Sequence, residues 1–174
     1  MATPTSLPAT FVAGNVLTAA QMNNLRGAFR ILQVVSTEKT DSFTTTSGTF
    51  TDVTGVSLSI TPSATSNKIL VVVNGIVGNN NATGLTLLNI VRGSTAIAQS
   101  TGGSSGNQSI VAYNNNTENN SSFSLMYLDS PATTSATTYK LQARCNTGTS
   151  VIGRIALNDG WRAVTTITAF EVSA

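Results

Sequence analysis

From Ile31 to the end of the chain, apolar and polar residues change places with a period of two, a pattern that fits a β-sheet and little else. Val56, Leu58 and Ile60 alternate with Ser57 and Ser59 until Thr61-Pro62 stops the run, because proline has no N–H for a sheet ladder. Tyr139, Leu141, Ala143 and Cys145 alternate in the same way with Lys140, Gln142 and Arg144. Cys145, the only cysteine, therefore reads as a small buried apolar side chain, with no disulfide framework. Lys68 to Val77 is nearly continuous Ile, Leu and Val, as expected of a central strand covered on both faces. Further strands are predicted over Leu85–Arg92, Thr95–Gln99, Gln108–Tyr113, Ser122–Asp129, Thr138–Cys145, Val151–Leu157 and Trp161–Val172. Asn158-Asp159-Gly160, between the last two, predicts a hairpin turn, since Asp-Gly suits positive φ angles. The fold class that follows is all-β, a jelly-roll-like β-sandwich. An immunoglobulin-like sandwich is disfavoured by the high strand count and the lack of a Cys…Trp…Cys pattern.

Residues 1–30 differ in kind. Met1 to Pro8 is a Thr/Pro-rich extended segment, restrained by Pro4 and Pro8. Phe11, Val12, Val16 and Leu17 form two small apolar clusters around Gly14-Asn15. Thr18-Ala-Ala-Gln21 then reads as a capping box. A short helix should follow to about Arg30, with Met22, Leu25 and Phe29 on one face. The chain thus divides into an N-terminal arm with its helix, residues 1–30, and a β-sandwich, residues 31–174. Phe11, Val12, Val16, Leu17, Met22, Leu25 and Phe29 are the candidate anchor.

Chemistry is scarce. Charged residues make up 9% of the 174, against about a quarter in ordinary proteins. Ser, Thr, Asn and Gly replace them, which suits subunits that bury much of their exterior, where each desolvated charge would need a partner. The cations are scattered without a run or stripe, so no nucleic-acid partner is expected. Histidine is absent, removing the usual general base and the commonest metal ligand. Ser36-Thr-Glu-Lys39 matches a bare Ser-x-x-Lys spacing but lacks its companion motifs. It reads as chance, with a solvated Lys39. Glu38, Asp41, Asp52, Glu118, Asp129, Asp159 and Glu171 are dispersed and predict no glycosidase pair. Gly102-Gly103-Ser-Ser-Gly106 has no Lys-Ser/Thr or helix after it, so it is no phosphate loop. The Asn/Asp loops lack the carboxylates of a strong calcium site. No catalytic, metal or cofactor residue is predicted, and the protein is expected not to be an enzyme.

No signal peptide is read at the N-terminus. Ile69 to Val73 is too short to cross a bilayer, so no membrane partner is expected. Three loops, Gly78–Gly84, Ser100–Asn107 and Asn114–Ser122, are extreme in Gly, Asn and Ser. They are expected at the ends of the sandwich, where ligand contacts often sit. Asn79, Asn80, Asn81, Tyr113 and Asn115 are the candidate ligand residues there, with Tyr113 and Trp161 as possible aromatic platforms for a glycan.

Phe11-Val-Ala-Gly-Asn-Val-Leu-Thr-Ala-Ala-Gln-Met-Asn23 resembles an N-terminal segment recurrent in phage tail-fibre and minor virion structural proteins. Gln33-Val-Val-Ser-Thr37, Phe50-Thr-Asp-Val-Thr-Gly55, Ile60-Thr-Pro-Ser63 and Lys68-Ile-Leu-Val71 resemble a β-sandwich domain of phage genomes, as does Leu128 to Lys140 in the second half. Such domains resemble tumour-necrosis-factor-like jelly rolls. The resemblance implies a homotrimer without catalytic residues, made in the host cytoplasm and located in the virion. Its partners would be itself, other virion proteins and, in one alternative, a host surface glycan. As a head or tail fibre or decoration protein it would dock by its arm. The other alternative is a capsid cement protein.

Overall fold

The alternating segments pair antiparallel throughout and build two facing sheets and one separate two-stranded ribbon. The computed structural model describes residues 31–113 and 120–173, together with Val16, Thr18 and Ala19. In chain order the strands are β1 (Ile31–Lys39), β2 (Phe43–Thr45), β3 (Thr51–Ile60), β4 (Lys68–Asn79), β5 (Leu85–Arg92), β6 (Thr95–Ile97) and β7 (Ile110–Tyr113). They continue as β8 (Asn120–Asp129), β9 (Thr137–Cys145), β10 (Ser150–Ile152), β11 (Arg154–Ile155), β12 (Asn158–Arg162) and β13 (Thr165–Val172). Between Ile31 and Val172 the regular structure described is strand throughout.

Sheet A runs β8-β4-β13-β1, with β10 taking over from β13 beside the end of β4, and β2 lying outside β10. Sheet B runs β3-β9-β5, and β6 and β7 share the far edge of β5. The chain crosses from β3 in sheet B to β4 in sheet A, returns to β5, crosses again to β8, returns to β9 and ends on β13. This wrap, with the first strand beside the last, is that of a jelly-roll-like sandwich.

The core lies between the sheets. Val56, Leu58 and Ile60 of β3 and Tyr139, Leu141 and Ala143 of β9 face Ile69, Val71 and Val73 of β4 and Ile167 and Ala169 of β13. Each large side chain so buried contributes roughly 1.5–3 kcal/mol. Cys145 is buried, as its alternation predicts.

Four expectations are corrected. Lys68–Val77 is central in its sheet but covered on one face only: Leu70, Val72 and Ile76 stay partly exposed, while β5 is the strand buried on both sides. The hairpin after β11 turns at Ala156-Leu157, because Ile155 pairs with Asn158, and Asn158-Asp159-Gly160 belongs to β12. Gly153, at φ 81°, ends the predicted strand Val151–Leu157 early by breaking it into β10 and β11. Lys39 is not solvated: it is buried, and its Nζ lies 2.7 Å from Asp41 Oδ1. The predicted helix lies outside the described residues apart from Thr18 and Ala19, as do residues 114–119 of the third loop. Gly78 and Asn79 are part of β4, and Asn120–Ser122 part of β8.

Candidate functional site

The outer face of sheet A is built by the residues that alternate with the core. The register sets them in rows across four strands. One row holds Val34 of β1, Phe170 of β13, Leu70 of β4 and Leu128 of β8. The next holds Ser36, Thr168, Val72 and Met126. On the other side of the first row, Val172 pairs with both Ile31 and Lys68. Met126 is 64% exposed, Val34 53% and Leu128 48%. The charges on this face stand at its ends: Lys68 in the Val172 row, and Glu38 in the row of Thr166 and Asn74. A contiguous apolar band across a whole sheet, edged by isolated charges, is the composition of an interface rather than of a wetted surface.

Below this face sits a carboxylate with no cation partner among the described residues. Glu171 is buried; its Oε1 accepts from Ser63 N at 2.6 Å, Ser63 Oγ at 2.7 Å and Asn67 Nδ2 at 2.6 Å. Its Oε2 accepts from Gln33 Nε2 at 2.7 Å. Burial opposes the charge, but the hydrogen bonds from Asn67, Ser63 and Gln33 outweigh it and hold the carboxyl below its ordinary range. The carboxylate thus ties β1 and the β3–β4 connection to β13.

The asparagine loop is occupied by its own hydrogen bonds. Asn79 is fully buried; its Nδ2 donates to Thr147 O at 3.1 Å and to Cys145 Sγ at 3.3 Å, and its Oδ1 accepts from Asn81 N at 2.9 Å. Asn80 Oδ1 accepts from Thr149 N at 2.7 Å, and Asn81 Oδ1 from Thr83 N at 2.9 Å. Gly148, at φ +76°, makes room: a Cβ there would stand 2.6 Å from Asn81 and 2.7 Å from Asn79. These side chains close the end of the sandwich. Tyr113 ends β7, its side chain lying outside the described residues along with Asn115. Trp161 is 69% exposed on β12, where Asp159 Oδ1 lies 3.1 Å from Arg162 Nη2 and 3.3 Å from Arg154 Nε.

Of the candidate anchor, Phe11, Val12, Leu17, Met22, Leu25 and Phe29 lie outside the described residues, and Val16 is 90% exposed. Among the described residues no group of three or more Cys, Asp and Glu side chains is placed to hold a metal ion. Leu70, Phe170, Met126 and Leu128 were not singled out from the sequence. Their signal was the two-sided apolar run of β4, together with Phe170 breaking the polar alternation of Thr166 and Thr168.

No family model matches the chain, and no curated protein does. Among solved structures it is similar to dimeric latent PorU from Porphyromonas gingivalis, with 9% identity and a TM-score of 0.38, over 83% of this chain and 14% of that one. It is also similar to a D431N mutant of VP2 from infectious bursal disease virus, solved as T=1 particles, with 14% identity and a TM-score of 0.38, over 82% of this chain and 36% of that one. The chain spans well under half of either protein, and likeness of this depth carries no functional conclusion.

Proposed function

We propose that the chain is a non-enzymatic bacteriophage virion subunit that assembles as a homotrimer around the outer face of sheet A. The observation that carries this reading is the apolar band of Val34, Phe170, Leu70 and Leu128. The occupant is another copy of the same chain. The band runs off the sheet at β8, which among the described residues pairs with β4 alone and exposes Met126 and Leu128. An edge-to-face contact buries both regions, and repeated from copy to copy it closes into a ring. The near absence of charge supports this, since little must be desolvated. The count of three rests on the resemblance to trimeric phage jelly rolls. Native mass spectrometry of the full chain at micromolar concentration should find trimer; monomer alone would overturn the reading.

Residues 1–30 serve in this reading as the anchor to other virion proteins. Burying Phe11, Leu17, Met22, Leu25 and Phe29 contributes roughly 1.5–3 kcal/mol each. Ordering the backbone costs about 1–2 kcal/mol per residue, which is comparable or larger in total. One arm docks marginally, whereas three on one trimer act together through effective concentration. Removing residues 1–30 should leave a folded trimer that no longer enters particles. Full occupancy of the truncated protein would place the anchor in the sandwich.

A further inference from the structure

At one end of the sandwich, where the β5–β6 turn meets the β8–β9 connection, a cavity of about 290 Å³ opens among Arg92, Gly93, Pro131, Thr133, Thr137 and Thr138. Its cation is held from behind. Arg92 Nη1 donates to Asp129 Oδ1 at 2.8 Å, to Asp129 Oδ2 at 2.9 Å and to Ser130 O at 3.3 Å. Asp129 is buried, and it also accepts from the hydroxyl of fully buried Tyr139 at 2.6 Å. Burial, and then Asp129 itself, push the Tyr139 phenol well above its ordinary range, so it stays a neutral donor. The guanidinium is thereby fixed through one nitrogen, and among the described residues Nε and Nη2 have no partner. Fixed, planar N–H pairs of this kind are the matched receptors for a carboxylate.

Charge, lining and volume define what fits. Lys68 Nζ donates to Ser130 Oγ at 3.2 Å at the same corner, so Arg92 and Lys68 stand against the single carboxylate of Asp129. The local balance is one positive charge, which a monoanion matches and a phosphate dianion exceeds. Thr133, Thr137 and Thr138 line the walls beside Pro131 and Ala136; Thr133 Oγ1 accepts from Ser135 N at 3.0 Å and so can still donate, while Thr137 Oγ1 donates to Ser135 O at 3.1 Å and so can still accept. Ala132, in the connection that carries this wall, has φ 52°, a left-handed conformation unusual for a residue other than glycine. Room for about ten waters by volume is room for one sugar ring.

We propose that this cavity binds a hydroxylated monocarboxylate of sugar size, a sugar acid either free or terminal on a glycan. Its carboxylate would sit on the free edge of Arg92 and its hydroxyls on the threonines. The inference does not rest on the assembly reading, and its test reads binding in whatever oligomer the protein forms.

The test is an amide NMR titration of the full chain with D-glucuronate, with D-glucose and inorganic phosphate as comparison probes. Glucuronate should shift the amides of Gly93, Thr133, Thr137 and Thr138, with glucose and phosphate at least about tenfold weaker. Arg92→Lys keeps a cation for Asp129 but loses the planar edge, and should weaken binding roughly tenfold. Ala136→Trp fills the cavity without touching the Arg92–Asp129 pair and should abolish the shifts. An oligosaccharide ending in glucuronate binding at least as well as the free acid would identify a glycan terminus; free acid alone binding would identify a small metabolite. The proposal falls if folded protein shows no shifts at about 10 mM glucuronate, a concentration that would saturate even a millimolar site. It falls equally if glucose or phosphate matches glucuronate, or if Ala136→Trp binds unchanged.

Discussion

The two sheets finish their outer surfaces in opposite ways. On sheet B, β9 directs Lys140, Gln142 and Arg144 outward beside β5, where Val91 pairs with Lys140 and Leu87 with Arg144. Those long side chains are tethered: Asp52 accepts from Lys140 Nζ and from Gln142 Nε2, both at 2.7 Å, and Arg144 Nη2 donates to Ser105 O at 2.9 Å. The guanidinium of Arg144 also lies 5.2 Å from the centre of the Phe50 ring. Their stems screen the apolar residues beneath, and Leu87 and Val91 are buried in the isolated chain. On sheet A, Thr166 and Thr168 of β13 are too short to screen anything, and Val34, Met126 and Leu128 lie open. Among the described residues, long side chains cover sheet B except for Val111 at its edge, and none covers the outer face of sheet A. That difference is what favours sheet A as the assembly surface in the function proposed above.

The largest expected effect breaks this contrast directly. Leu70→Asp combined with Phe170→Asp puts two carboxylates into the centre of the apolar row. Both side chains are only partly buried in the single chain, so the sandwich should fold. A trimer interface would have to desolvate the added charges, each costing several kcal/mol. Association should weaken by at least about a hundredfold, and sedimentation velocity should show folded monomer. A trimer of unchanged affinity would move the interface elsewhere.

The contrast also explains what the sequence made legible. Strand positions follow from a period of two, a local property, so β5 and β9 lie close to where the alternation puts them, whereas the strand expected over Trp161–Val172 divides into the end of β12 and β13. Whether a face is covered is not local. The apolar run of β4 reads as a strand buried on both sides, and the single chain buries one; an added subunit would make the expectation right for the assembly. Conversely β5 is closed on its outer side by side chains from β9, fifty residues away in the chain, about which the β5 segment itself is silent. The Arg92–Asp129–Tyr139 cluster was invisible for the same reason, since its members come from three strands. The hairpin misreading is different: Asp-Gly is a turn signal of statistical kind, and pairing of Ile155 with Asn158 overrode it.

A smaller effect asks how sheet A keeps its shape while its outer face is uncovered. Glu171 joins Gln33, Ser63 and Asn67 beneath that face. Replacing it by Gln removes a charged acceptor and should lower stability in urea unfolding at neutral pH by about 1.5–3 kcal/mol. Because the folded carboxyl titrates below its ordinary value of 4.5, the unfolded chain takes up the proton first as pH falls. The contribution of Glu171 is therefore full above that value and is lost as pH drops through the folded one. The gap between the parent protein and Glu171→Gln should shrink at about pH 3. A gap independent of pH would assign the loss to shape rather than charge.

The smallest effect tests the covered sheet. Arg144→Ala removes the stem beside Leu87, the contact with Phe50 and the bond to Ser105 O. An exposed cation over an aromatic ring is worth about 0.5–1 kcal/mol, and the lost stem exposes apolar surface at roughly 25 cal/mol per Å². Unfolding free energy should fall by about 1 kcal/mol, with the oligomeric state unchanged. Arg144→Met restores the stem without the charge and should recover part of that loss, because screening by the methylenes and attraction by the guanidinium are separable. If Arg144→Ala instead disrupted the trimer while Phe170→Asp did not, the two faces would have to exchange roles: the polar side chains of sheet B would form the contact, and the apolar band of sheet A would be the surface left to water.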